Sequence, residues 1–312
     1  MIEIDDVSRT FGDVVAVERL SLTVSRGAIV TLVGTSGSGK STLLRMINRL
    51  IEPTGGAIRI QGRDISSIPG EILRRGIGYV IQGHGLFPHW TVERNIGTVP
   101  RLLDWDAARI ARRVEDLLDL FGLDPDVYAR KFPHQLSGGQ QQRVGVARAL
   151  AAEPSVLLMD EPFGALDPII RAKAREDLFA LQRRLGVTVV LVTHDMEEAI
   201  ALGDRIAIMD RGRLMQYATP AEILARPAPG FVERLVGDAE RPFRLLSLIK
   251  VGEAAEPGEA AGPAVSETAS LREALSELLM RGAMSLPVVA SDGRPRGRVA
   301  LDAILAHARL AR

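Results

Sequence analysis

The 312-residue sequence predicts an α/β fold: a parallel-sheet core, an antiparallel β subdomain at its start, a helical insert within it and a small α+β module at its end. Three observations carry this. The runs Ala28–Val33, Ile77–Ile81, Val156–Met159 and Val187–Val192 are apolar without alternation, as strands buried on both faces are. Helical patterns at Ser41–Leu50, Ala107–Leu120, Gly138–Ala152, Arg171–Leu185 and Met196–Leu202 separate or follow them, and strands alternating with helices build parallel sheets. Finally, Gly252–Ala264 contains only Gly, Ala, Glu and Pro, which sets the C-terminal stretch apart.

Taken in order, Ile2–Val7, Val15–Val24 and Ala57–Gln61 alternate or cluster β-branched residues, with Gly12, Gly27, Gly55–Gly56 and Gly62 as turns. They form the antiparallel subdomain. Trp90–Gln135 carries two helix-like patterns and no strand, which makes it the core of a helical insert at approximately 83–152. Arg205–Met209 and Leu214–Tyr217, joined by Asp210–Gly212, read as a hairpin. The main domain is expected at 1–249, a linker at 250–265 and a small module at 266–312, where a helix–strand–turn–strand–helix pattern resumes.

Composition narrows the function. Basic and acidic residues balance at 39 each, so no global field draws in nucleic acid. Aromatic residues make up 4%, too few for platforms that stack single-stranded bases. With no cysteine, disulfide, thiolate-metal and cysteine-nucleophile chemistry are excluded. The start, MIEIDDVSRT, resembles no secretory signal, and no apolar run approaches the roughly 18 residues of a membrane span. The expectation is a cytoplasmic protein that meets any membrane from outside.

Gly34-Thr-Ser-Gly-Ser-Gly39-Lys40-Ser41 matches G-x-x-x-x-G-K-[ST] between a buried strand and a helix. Glycines let backbone N–H groups turn inward around a polyphosphate, and the helix start adds its positive end. Lys40 places a charge on the outer phosphates, and the Ser41 hydroxyl can ligate Mg²⁺. Lysine is scarce here, with 4 against 35 arginines, so its presence in this loop carries weight. Val156–Met159 runs into Asp160 and Glu161: the first suits Mg²⁺ through its water shell, the second suits an attacking water as proton acceptor. His194 ends another apolar run, and Asp195 after it suits the N-cap of Met196–Leu202. Leu136-Ser-Gly-Gly-Gln140-Gln-Gln-Arg143 begins a helix whose unpaired N–H groups suit an anion. One phosphate loop is already present, so this second anion site makes sense if it caps the γ-phosphate bound to another copy of the chain.

From Met1 to about Lys250 the sequence resembles the nucleotide-binding subunits of ATP-binding cassette (ABC) transporters, with the motifs in the family's order. The resemblance implies a P-loop NTPase core and, position by position, the following roles. Phe11 is similar to the aromatic that stacks on adenine, although tyrosine is common there. Gly34, Ser36, Gly37, Ser38, Gly39, Lys40, Ser41 and Thr42 belong to the phosphate loop. Gln82 resembles the Q-loop glutamine that touches Mg²⁺ and the attacking water. Ser137, Gly138, Gly139 and Gln140 form the signature presented in trans. Asp160 and Glu161 are the Walker B pair, and Asp167 in Ala165-Leu-Asp resembles the D-loop residue linking two sites. His194 resembles the switch histidine on the γ-phosphate. The implied catalytic set is Glu161, His194 and Gln82, with ATP and Mg²⁺ bound and Ser41, Gln82 and Asp160 toward the metal.

The resemblance further implies a sandwich of two copies around two ATP molecules, driving a separate integral-membrane permease fed by a solute-binding protein. Gly85-Leu-Phe-Pro-His89-Trp90 stands where that partner is met; its Phe87 and Trp90 suit either a socket for a partner helix or the packing of the insert. Met46–Gly55 and Gly85–Trp90 most resemble importers of osmoprotectants such as glycine betaine, choline or carnitine. Alternatives are an importer of another small solute (an amino acid, a sulfonate or a metal chelate) or a soluble cassette ATPase acting on nucleic acid or ribosomes. The soluble class tends to carry two cassettes or a long coiled-coil insertion, and the sequence shows neither. A non-hydrolysing module is disfavoured by Glu161 and His194. Leu271–Leu305 resembles a single CBS module, with Leu286–Gly293 its most typical part. Val299 stands three residues before Asp302, where Thr or Ser is usual, so packing or dimerisation is expected of the tail rather than nucleotide sensing.

Overall fold

The computed structural model describes all residues except His84, Ala165 and 310–312. The Ala165 of the Ala165-Leu-Asp motif and the last residues of the 266–312 module therefore lie outside the described residues. The chain forms two compact units, Met1–Tyr217 and Ala218–Arg312.

The first unit opens with β1 (Ile2–Phe11), β2 (Val14–Val24) and β3 (Ile29–Val33), then α1 (Lys40–Ile47), β4 (Gly55–Ile60), β5 (Arg63–Asp64), α2 (Gly70–Arg75) and β6 (Ile77–Val80). Five helices follow without an intervening strand among the described residues: α3 (Val92–Ile96), α4 (Thr98–Leu102), α5 (Ala107–Leu120), α6 (Pro125–Tyr128) and α7 (Gly138–Leu150). The chain returns through β7 (Val156–Asp160), α8 (Pro168–Leu185), β8 (Thr188–Thr193), α9 (Met196–Leu202), β9 (Arg205–Asp210) and β10 (Arg213–Ala218).

These strands make an antiparallel sheet in the order β2-β1-β4-β5 and a larger sheet in the order β10-β9-β3-β8-β7-β6. Within the latter, β9, β3, β8, β7 and β6 run parallel. The apolar runs lack alternation because the sheet has a core on each face. Ile29, Leu157, Met159, Val189 and Leu191 enter one core, with Leu117 of α5, Val144 of α7 and Leu178 of α8. Their neighbours Val30, Leu32, Val156, Leu158, Val190 and Val192 enter the other, with Leu43 and Leu44 of α1 and Ile2, Ile4 and Leu22 of the antiparallel sheet. Burying a side chain of this size is worth about 1.5–3 kcal/mol, so the central strands anchor everything attached to their ends.

The second unit contains α10 (Pro220–Ala225), α11 (Phe231–Val236), α12 (Arg241–Leu248), α13 (Val251–Ala254), β11 (Val265–Ser266), α14 (Leu271–Arg281), β12 (Ser285–Val289), β13 (Pro295–Ala300) and α15 (Leu301–Arg309). Its sheet has the order β11-β12-β13, the first pair parallel and the second antiparallel. Val299 is fully buried in its core beside Leu286, Val288 and Ile304.

By contacts, α10–α12 fall in the same compact unit as the elements beyond 266. The segment 250–265 makes contacts of its own. Val251 and Ala254 are core residues, Val251 N–H donates to Ala269 O at 2.8 Å, and Glu256 and Arg298 exchange backbone hydrogen bonds at 2.9 Å. Composition underestimates this segment because backbone pairing and two small apolar anchors order it, with little side-chain area. Among the described residues, no helix is long and apolar enough to cross a membrane.

Candidate functional site

Parallel strands end on the same side of the sheet, and the register here aligns those ends: Val33 pairs with Thr193, Asp160 with Val192 and Val80 with Met159. The residues that follow β3, β7, β8 and β6 are therefore neighbours: the phosphate loop, Glu161, His194 and Gln82. Ligands of open parallel sheets bind beyond these carboxyl ends.

The loop from Gly34 to Gly39 feeds α1, whose N-cap Gly39 has φ +97. A Cβ there would lie 2.3 Å from Ala16 O, so both conformation and space demand glycine. The same contact brings the hairpin that carries Phe11 against the loop. Lys40 is buried, and its Nζ donates to Gly34 O at 2.9 Å, Thr35 O at 2.8 Å and Ser38 Oγ at 3.2 Å. Burial pushes its pKa below the usual lysine value, against the opposing pull of Glu161 and Asp160. Loop oxygens thus satisfy all three donors of this cation.

Ser41 Oγ donates to Asp160 Oδ1 at 2.8 Å, and Asp160 is buried. A hydroxyl and a carboxylate facing each other are oxygen donors of the kind Mg²⁺ takes in nucleotide sites, where phosphate oxygens complete the set. The protein groups present fit that ion.

Glu161 has φ +46, a left-handed conformation that costs a non-glycine residue about 1–3 kcal/mol. Its N–H donates to Val192 O at 3.0 Å and its C=O accepts from Gly164 N–H at 3.2 Å, and these hold the turn. The turn aims the carboxylate between two partners: Gln82 Nε2 donates to Oε2 at 3.3 Å, and His194 Nδ1 lies 3.4 Å from Oε1. A cavity of about 250 Å³ opens here, lined by Gln82, Glu161, His194, Gly164, Ile81 and Gln142 among others.

His194 is held by its neighbours. Thr193 Oγ1 donates to Glu198 Oε2 at 2.8 Å and accepts from Asp195 N–H at 3.0 Å. Asp195 caps α9, taking Glu197 N–H at 2.8 Å and Glu198 N–H at 3.3 Å. Burial raises the Glu198 carboxyl to about 7, with the Thr193 hydrogen bond opposing.

Ser137, Gly138, Gly139, Gln140, Asp167 and Phe11 do not line this cavity. Ser137 caps α7 in a reciprocal box with Gln140: Ser137 N–H donates to Gln140 Oε1 at 3.0 Å, Gln140 N–H to Ser137 Oγ at 3.4 Å. Gln140 Nε2 also donates to Tyr128 Oη at 3.1 Å. Gly138 and Gly139 add no side chain of their own to the helix start, and the Ile170 side chain packs close to Gly139. Asp167 caps α8 through Ile170 N–H at 3.1 Å. Phe11 is exposed, with the Arg9 guanidinium 4.3 Å from its ring.

Phe87 and Trp90 form a tilted pair with centroids 4.4 Å apart, and Phe87 is 39% exposed, so the loop is more surface than core. Its anchor escaped the sequence reading. Fully buried Asn95 accepts from Phe87 N–H at 2.8 Å and donates to Phe87 O, Trp90 O and Thr91 O at 3.1–3.2 Å. Arg148, from α7, donates to Gly85 O at 2.7 Å. A lone amide on a short helix gives no periodic signal, and neither does an acid such as Glu198 in a first helical turn, where exposure is the usual reading.

The family model for ABC transporters matches residues 17–164, from β2 to the turn after Glu161. The chain is 50% identical over 309 residues to the glycine betaine uptake system ATP-binding protein YehX of Escherichia coli, covering 99% of this chain and all of that one. The chain belongs to the ABC transporter family. As an ABC ATP-binding subunit, it is also 46% identical over 286 residues to the osmoprotectant import ATP-binding protein OsmV of Salmonella typhimurium, across 91% of this chain and 74% of that protein. A dimeric, post-hydrolysis structure of the ATP-binding cassette MJ0796 bound to ADP and Pi is 33% identical, with TM-score 0.63 over 70% of this chain and 99% of that one. The P-loop sheet with its helical subdomain is thus the ABC-ATPase core, and the subunit is an ATPase closely related to osmoprotectant uptake ATPases.

Proposed function

We propose that this ABC ATPase powers import of a quaternary ammonium osmoprotectant, of the glycine betaine, choline or carnitine type, from the cytoplasmic face of the membrane through separate permease subunits. The observation that carries the solute class is the match to the glycine betaine uptake subunit along its whole length, second unit included. The solute itself is recognised by the permease and its binding protein.

In this reading the phosphate loop from Gly34 to Thr42 holds the ATP phosphates, with Lys40 moving from loop carbonyls to phosphate oxygens and Phe11 stacking on adenine. Ser41, Asp160 and Gln82 would hold Mg²⁺, which when bound offsets negative charge on the outer phosphates. Glu161 accepts a proton from the attacking water, Gln82 orients it, and His194 contacts the γ-phosphate. The turn at Glu161 supports that role, since the strained backbone brings its carboxylate to both partners.

Ser137, Gly138, Gly139 and Gln140 cap the γ-phosphate held by a second copy of the chain, and Asp167 links the two sites. The helix start at Gly138, where nothing lies within 4 Å of an added Cβ, supports this, as does the dimeric form of the MJ0796 cassette. The surface pair Phe87 and Trp90 meets the permease. The sheet and helices beyond Val265 act as a single CBS-like module that pairs with that of the second copy. Val299 in the core supports packing over ligand sensing.

The test is reconstitution of the subunit with its permease and binding protein in liposomes. ATP-dependent uptake of glycine betaine, choline or carnitine is expected, with solute-stimulated hydrolysis. Stimulation only by an amino acid or a sulfonate would replace the solute class, and a chain that never associates with the permease would overturn the transport reading.

A further inference from the structure

Gln142 is the fifth residue of α7, yet it belongs to the catalytic cavity rather than to the signature at the helix start. It is 4% exposed, and its Oε1 is buried without a hydrogen-bond partner among the described residues. Leaving a buried amide oxygen unpaired costs about 1–3 kcal/mol, so a purely structural position would favour an apolar residue of the same size. Gln142 also lines the cavity of about 250 Å³ that Gln82, Glu161 and His194 line. At roughly 30 Å³ per molecule in the liquid, such a cavity holds several waters. The terminal amide torsion is soft, so either its oxygen or its NH₂ can turn to that water.

The position along the helix matters as much. Gly138 and Gln142 are separated by about 6 Å of helix axis. Val144, Val146, Ala147 and Leu150 root the same helix in the core, and Arg143 Nη1 donates to Phe121 O at 3.2 Å. A rod fixed in this way cannot shift its first turn without moving Gln142.

We propose that Gln142 is a positioning residue that couples the two nucleotide sites of the dimer. Its amide orders water in the cavity of its own chain's Gln82–Glu161–His194 cluster. The first turn of the same helix engages the nucleotide held by the other copy. Capture of that second nucleotide thus sets the water order at the first. This rests on the reading above that Ser137–Gln140 act in trans.

The test is Gln142→Met in the full chain, which keeps length and volume and removes the polar groups, with Gln142→Leu as a second variant. A fall in kcat of at least tenfold is expected, with ATP affinity within twofold of the parent, an unchanged or raised melting temperature, and a Hill coefficient for ATP falling toward one. Unaltered kcat and Hill coefficient would overturn the proposal. A parallel loss of ATP affinity or melting temperature would also overturn it, by assigning Gln142 a structural role. ATP-driven dimerisation of Glu161→Gln, measured alongside, separates the two readings: if it occurs while Gln142→Met is silent, only the coupling fails; if it does not occur, the trans arrangement itself fails.

Discussion

Ser41 Oγ donates to Asp160 Oδ1 over 2.8 Å, joining residues that lie 119 positions apart in the chain. One stands in the first turn of α1, after the loop that leaves β3, the other closes β7, and β8 lies between those strands in the sheet. Ser41→Ala leaves the buried Asp160 without that donor and the proposed metal without a ligand. The half-saturating Mg²⁺ concentration for ATP hydrolysis is expected to rise at least about tenfold. An unchanged Mg²⁺ titration would remove Ser41 from the metal's coordination.

Asn95 pins the Phe87–Trp90 loop through both its oxygen and its NH₂. Asn95→Leu strands a buried N–H and several carbonyls, so stability should fall by about 3 kcal/mol, read from the urea midpoint. In the assembled transporter, solute-stimulated hydrolysis should fall further than the basal rate of the isolated subunit. Equal losses would show that the loop serves the subunit's own folding alone.

Glu198 makes stability depend on pH. Its carboxyl is raised from the usual 4.5 to about 7, so between these values the folded chain holds a proton that the unfolded chain has released. Stability from this group is present below about pH 4.5 and is lost as pH rises through 7, by up to about 3 kcal/mol. Glu198→Gln removes the titration and keeps an oxygen for Thr193. The variant's melting temperature relative to the parent should climb between pH 5 and pH 8. A difference flat across that range would contradict the buried, protonated state.

Much of this was legible in the sequence for physical reasons. The strands of the large sheet announced themselves because residues such as Leu157 and Leu158 face different cores, leaving no polar position to break the run. The ends of α5 and α9 matched the apolar periodicity, and Asp195 caps α9 as expected. The turn from Gly34 to Gly39 was readable because its geometry needs glycine, as at Gly39 with φ +97, and Lys40 after it folds back onto the turn's own oxygens. What sequence missed depends on three-dimensional neighbours. The insert breaks into short helices where Gly97 ends α3 and precedes α4. The helices from Pro220 to Leu248 are too short to show a period, which hid the start of the second unit. The segment from Gly252 to Ala264 looked unfoldable because its order comes from backbone pairing with β13 and with the 267–270 turn. The burial of Gln142, and that of Asn95 with its hydrogen bonds to the Phe87–Thr91 loop, depend on three-dimensional neighbours that no single position in a sequence discloses.

The central claim, that two copies clamp a pair of ATP molecules and part after hydrolysis, is tested most directly by sedimentation of Glu161→Gln. Removing a positioned proton acceptor should slow turnover by about 10²–10⁴-fold while ATP still binds. The variant is expected to sediment as a dimer with ATP and as a monomer with ADP, and adding Ser137→Arg should abolish the dimer without preventing ATP binding. A chain that remains monomeric with ATP bound, or that hydrolyses at the parental rate in a single turnover, would contradict the account.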